Sequence, residues 1–92
     1  MTDVTDVVLP GSVEGDAGAA LKALEARLPV AAVRALRVAG QWHYGSELWE
    51  RLSKAADRIE LRLKQGQPWR RTLKNVIADV GPLLRAVAGR EE

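Results

Sequence analysis

Residues 46–65, SELWERLSKAADRIELRLKQ, carry the longest uninterrupted helical pattern in this 92-residue chain, and the expected fold depends on them. Apolar residues recur there at spacings of 4, 3, 4 and 4, which places them on one face of an α-helix: Leu48, Leu52, Ala55, Ile59 and Leu63. The pattern predicts one long amphipathic helix at the centre of the fold.

The ends of this stretch carry the residues that start and stop a helix. Ser46 is suited to be the N-cap, because its hydroxyl can accept a hydrogen bond from an unpaired N–H of the first turn. Gly66 follows the last periodic residue, and Pro68 lies just beyond it. Three pairs at i,i+4 spacing are expected to form ion pairs along the helix: Glu47–Arg51, Glu50–Lys54 and Glu60–Lys64.

The composition excludes several classes of protein. With 47% hydrophobic residues, the chain can bury one modest core. The absence of cysteine excludes disulfides and thiolate metal sites. No apolar run reaches the roughly 18 residues of a membrane span, and the first residues do not form a secretory signal. We therefore expect a cytoplasmic protein with no membrane partner.

Charge is unevenly distributed along the chain. Residues 1–16 contain four acidic residues and no base, whereas residues 17–90 contain all 14 Lys and Arg against six acidic residues, a net charge of +8. We predict a flexible acidic N-terminal tail at 1–16 and a single helical domain at 17–90. The alternative for the tail is that an extended piece at Val7–Leu9 docks on the core.

Two further helices are expected before the central one. The first spans about 17–28 with Asp16 as its N-cap, and the second spans about 29–39, ends at Gly40 and is buried over much of its surface. The connection at 41–45 contains two aromatic residues, which we expect to be held against the core; the alternative is a small exposed aromatic contact site.

The last helix is expected to start with Pro68 at its first position and to be broken or kinked at Gly81-Pro82. The fold is therefore predicted to be all-α, a compact bundle of four to five helices. The predicted core consists of Leu21, Leu24, Leu28, Val33, Leu36, Leu48, Leu52, Ile59, Leu63, Leu73, Val76, Val80 and Leu84.

Basic residues of the last helix form the clearest candidate site. Arg70, Arg71, Lys74 and Arg85 lie on one face with no acidic residue among them, and Arg58 and Arg62 line a flank of the central helix. A solvated surface would look the same. As a binding surface, these six residues fit a protein partner with an acidic surface, or self-association through contacts between basic and acidic regions.

The sequence gives little support for catalysis or for binding of a metal or cofactor. A triad of His43, Ser46 and Asp57 can be drawn, but nothing in the sequence orients it. The only histidine lacks clustered carboxylates, and the glycines do not form a phosphate loop. We expect no enzyme, no cofactor, no metal site and no small-molecule substrate.

The segment 40–52, GQWHYGSELWERL, resembles the approach to a winged-helix or helix-turn-helix unit. That resemblance implies a turn at 53–55 and a recognition helix at 56–65 that presents Arg58, Arg62 and Lys64 to DNA. With a bend at the same place the chain would divide into about six short helices, which resembles a death-fold type of adaptor domain.

The leading hypothesis is a non-enzymatic protein-interaction module, acting as an adaptor, a regulator or an oligomerisation domain. The alternative is a small DNA-binding protein with a degenerate helix-turn-helix. The continuity of the helix at 46–65 is the structural feature on which the alternative depends.

Overall fold

Four α-helices make up the part of the chain that the structure, a computed structural model, describes, residues 12–89. They are α1 (Val13–Glu25), α2 (Pro29–Gln41), α3 (Glu47–Lys64) and α4 (Arg70–Ala88), and no strand occurs between residues 12 and 89. The predicted all-α bundle is thus confirmed, with four helices.

The helix α3 begins and ends as its sequence predicts. The Ser46 hydroxyl accepts from the Trp49 N–H at 3.2 Å, and Gly66 follows the helix with a φ of +65°. The helix runs through residues 53–55 without interruption. The predicted single long helix is therefore confirmed. The helix-turn-helix turn and the division into six short helices both required a bend here, and this bend is absent.

The helix α1 begins four residues earlier than predicted. Ser12, not Asp16, is its N-cap, and its hydroxyl accepts from the Gly15 N–H at 2.8 Å. Glycines at 15 and 18 resemble a loop in sequence, but burial of the alanine and leucine face of α1 outweighs their low helix propensity. Residues 12–16 of the predicted tail are therefore helical or capping, and residues 1–11, including Val7–Leu9, lie outside the described part of the chain.

The helix α2 continues past its predicted end to Gln41. Gly40 lies inside the helix and is buried, and a Cβ added there would stand 3.6 Å from the Cβ of Leu52. That distance is an ordinary van der Waals contact, so Gly40 lies inside α2 where it packs on α3 and does not terminate the helix. Burial of α2 is also narrower than predicted, since only Ala32, Leu36, Ala39 and Gly40 are fully buried.

The helix α4 starts two residues after Pro68, with Trp69 as its N-cap, so proline does not occupy the first helical position as predicted. The helix also passes through Gly81 and Pro82, and the predicted break is absent. Proline at 82 leaves the Ala78 carbonyl without its usual donor. Both residues are exposed, which allows water to reach this carbonyl.

The core contains nine of the 13 predicted residues as fully buried side chains. Val33, Leu48 and Leu63 pack against it while partly buried. Leu28 is the error: it is 53% exposed, because it lies in extended backbone between α1 and α2. Each fully buried large side chain contributes about 1.5–3 kcal/mol relative to exposure.

The helices pack in a ring in which α1 contacts α2 and α4, α2 contacts α3, and the contact between α3 and α4 is the smallest of the four neighbouring pairs. Ion pairs join different helices instead of forming at the predicted i,i+4 spacings within α3. Arg37 of α2 pairs with Asp57 and Glu60 of α3 at 2.9 and 2.6 Å, and Arg51 of α3 pairs with Asp79 of α4 at 2.8 Å.

Among the described helices, none combines the length and apolar character that crossing a membrane requires.

Candidate functional site

A basic cleft lies between the turn that joins α1 to α2 and the first half of α4. Its volume is about 310 Å³. Four cationic side chains, one indole and two aliphatic side chains line it: Arg27, Arg70, Arg71, Lys74, Trp69, Leu73 and Ile77. No acidic side chain is among these lining residues, so the four charges add to one positive field.

The turn after α1 brings Arg27 to the cleft. The Arg27 N–H donates to the Leu24 carbonyl at 3.1 Å, and the Leu28 N–H donates to the Ala23 carbonyl, also at 3.1 Å. These two bonds form a Schellman motif, whose geometry requires a left-handed residue at position 27. Arg27 adopts a φ of +59°, where glycine would be more favourable.

The indole of Trp69 forms one wall of the cleft. Trp69 is half-buried against the core, and the guanidinium carbon of Arg70 lies 5.2 Å from its ring centroid, within the range of a cation–π contact. Leu73 is buried beneath the cleft and Ile77 is half-buried beside it. The cleft thus combines a cationic rim with an apolar floor.

The first turn of α4 adds to the positive character of this region. It contains no acidic residue, and no side chain caps its N–H groups. The free N–H groups carry the positive end of the helix dipole, which favours anions nearby.

The structure separates the six predicted partner-binding residues into three groups. Arg70, Arg71 and Lys74 meet in the cleft. Arg85 lies outside it and pairs with Glu25 at 3.7 Å, so its predicted unpaired state is wrong. Arg58 and Arg62 are exposed on α3.

Sequence reasoning missed Arg27. The first helix was predicted to span 17–28 with residue 27 inside it, and the periodic pattern gave no signal for the left-handed residue that follows the earlier end of α1. Only the packing of the α1–α2 turn against α4 adds Arg27 to the predicted basic face.

The drawn triad does not assemble. The Ser46 hydroxyl donates to the main-chain carbonyl of His43 at 2.6 Å. Asp57 accepts from Arg37, and this hydrogen bond raises the pKa of Arg37 above its ordinary value, as does Glu60 to a lesser extent. The side chains of Ser46 and Asp57 are therefore engaged in capping and in joining helices.

The aromatic connection before α3 is more exposed than predicted. Tyr44 is 78% exposed and lies beside Trp49, with ring centroids 4.8 Å apart. Trp42 is half-exposed, and its Nε1–H donates to the Asp16 carboxylate at 2.7 Å. The indole of Trp42 therefore ties this connection to the first turn of α1, whereas Tyr44 is not held against the core as expected.

Comparisons of the chain with protein-family models, with curated proteins and with solved structures gave no significant match.

Proposed function

We propose that this chain is a non-enzymatic protein-interaction module that binds an acidic segment of a partner in the basic cleft. The supporting observation is the convergence of four cations around one indole with no acidic lining residue. This module would serve as an adaptor, a regulator or an oligomerisation domain.

The cleft favours a particular ligand chemistry. Exposed ion pairs contribute only about 0.2–1 kcal/mol each, so the cationic rim alone gives weak binding. The apolar floor of Leu73 and Ile77 and the wall formed by the Trp69 ring add contact area. A ligand that covers them excludes water from part of the ion pairs at the rim. A segment with two or more carboxylates and an apolar side chain between or beside them satisfies both regions.

Reversing two charges of the rim tests the proposal. Arg71→Glu with Lys74→Glu should weaken binding of an acidic-apolar peptide, such as one of alternating Glu and Leu, by at least tenfold in a calorimetric titration. The helix should persist, because glutamate near the start of α4 is favoured by the helix dipole.

The matched control is Lys54→Glu with Lys64→Glu on α3. It changes the net charge by the same amount at exposed positions outside the cleft. Equal loss of binding in both variants, or no loss in the cleft variant, would contradict the assignment.

Binding of single-stranded nucleic acid is the second candidate. It is supported by the indole beside Arg70, since a base can stack on an aromatic ring while nearby cations contact phosphates. It replaces the predicted helix-turn-helix mode, which requires the absent turn in α3.

A further inference from the structure

The cleft and the first residues of the chain have matching chemistry. Residues 3–9, DVTDVVL, place Asp3 and Asp6 among valines and a leucine. Two carboxylates suit the cationic rim, and the apolar side chains suit the floor formed by Leu73 and Ile77. No base occurs in residues 1–16.

We propose that the cleft binds residues 3–9 of a second copy of this chain. This inference rests on the proposed function and names the partner of the same cleft. The chain would therefore associate with itself through a contact between two different surfaces.

The length of chain before α1 determines whether residues 3–9 can enter the cleft of their own molecule or only that of a second copy. Ser12 caps the start of α1, and Arg27 follows its end, about 22 Å away at 1.5 Å per residue. Val7 is five residues from Ser12, so it reaches at most about 18 Å even when fully extended. Residues 7–9 therefore cannot enter their own cleft, although Asp3, at most about 32 Å from Ser12, can approach its rim.

A second copy has no such restriction. All of residues 3–9 can then enter the cleft, so that carboxylates and apolar side chains are both used. A contact between unlike surfaces closes a reciprocal dimer when two segments exchange, or otherwise extends into longer assemblies.

Complementary charge reversal tests this inference on the full chain. The tail-reversed variant carries Asp3→Lys and Asp6→Lys, and the cleft-reversed variant carries Arg71→Glu and Lys74→Glu. Sedimentation equilibrium should show self-association of the original chain. Each variant alone should associate at least tenfold more weakly. The tail-reversed variant brings a basic tail to a basic cleft, and the cleft-reversed variant has lost the net positive charge of the cleft that its acidic tail requires.

An equimolar mixture of the two variants should restore association. The unchanged acidic tail of the cleft-reversed variant then meets the unchanged basic cleft of the tail-reversed variant, which is the pairing of the original chain. Failure of the mixture to associate would overturn the inference, as would an original chain that stays monomeric over the whole concentration range.

Two additional measurements separate the remaining outcomes. In NMR spectra, the indole N–H resonance of Trp69 should shift with protein concentration in the original chain and not in the tail-reversed variant. A difference in this chemical shift between the two proteins that does not depend on concentration would show a contact within one molecule and overturn the inference.

The tail-reversed variant should still bind the Glu-Leu peptide. A monomeric original chain that binds this peptide would overturn only the self-association, whereas loss of both activities would overturn the proposed function as well.

Discussion

At the scale of single residues, Arg27 combines an unfavourable backbone conformation with a position at the cleft. An L-residue in the left-handed region costs about 1–2 kcal/mol, and glycine would avoid most of that cost. The guanidinium group of Arg27 is one of the four cations that line the cleft. Under the proposed function, stability and binding make opposite demands at this position.

Replacement of Arg27 by glycine should separate these two demands. We expect Arg27→Gly to stabilise the fold by about 1 kcal/mol, because relief of the left-handed backbone exceeds the extra chain entropy of glycine. The same change should weaken binding of the Glu-Leu peptide severalfold. Urea denaturation and calorimetric titration measure the two effects.

Gly66→Ala is the matched control for that change. Gly66 has a similar φ of +65°, and a Cβ there would meet nothing within 4 Å. Alanine should cost about 1 kcal/mol through backbone strain alone, with peptide binding unchanged. A destabilised Arg27→Gly variant would show that the arginine side chain contributes more than its backbone costs.

At the scale of helices, sequence pattern was sufficient where caps and periodicity agreed. The helix α3 has Ser46 before it, Gly66 after it and an apolar face between them, and its bounds were predicted to within a residue. The start of α1 was not predicted correctly, because the glycines at 15 and 18 have low helix propensity and the helix there is stabilised by tertiary packing. Gly40 and Pro82 are similar cases, in which packing or solvent access overrides a local signal for termination.

The uninterrupted helix α4 allows a prediction at Pro82. We expect Pro82→Ala to stabilise the fold by about 1–2 kcal/mol, since alanine restores the donor to the Ala78 carbonyl and removes the ring clash. Part of the gain is offset because proline restricts the unfolded chain. The midpoint of urea denaturation should rise.

The comparison variant is Pro68→Ala. Pro68 lies before α4, where it interrupts no helical hydrogen bond. This substitution should destabilise by roughly 0.4–1 kcal/mol through the unfolded chain alone. Similar effects of the two substitutions would indicate that Pro82 causes no strain in α4.

At the scale of the whole molecule, the excess of positive charge was predictable from the sequence, but the set of basic residues that meet in the cleft was not. Counting residues shows a net charge of +8 in residues 17–90. Periodicity placed Arg70, Arg71 and Lys74 on one face of the last helix. That Arg27 joins them, and that Arg85 pairs with Glu25 outside the cleft, depends on contacts between α1 and α4 that no local pattern encodes.

The dependence of binding on salt should distinguish the two candidate functions. If four cations contact phosphates of a single strand, the affinity should fall by roughly 50-fold between 50 and 200 mM salt. Binding of an acidic-apolar peptide should fall only severalfold, because the apolar floor contributes independently of salt. Fluorescence anisotropy with labelled oligonucleotide and labelled peptide measures both slopes; absence of oligonucleotide binding at 50 mM salt would exclude the nucleic-acid candidate.

The pairing of the first helix with the last has a consequence for how the protein is made. The helix α1 packs extensively on α4, whereas the contact between α3 and α4 is the smallest of the four neighbouring pairs. A nascent chain that has completed α1, α2 and α3 still exposes the part of the α1 surface that α4 will cover. Because α4 is the last of the four helices, the bundle closes only after α4 itself has left the ribosome.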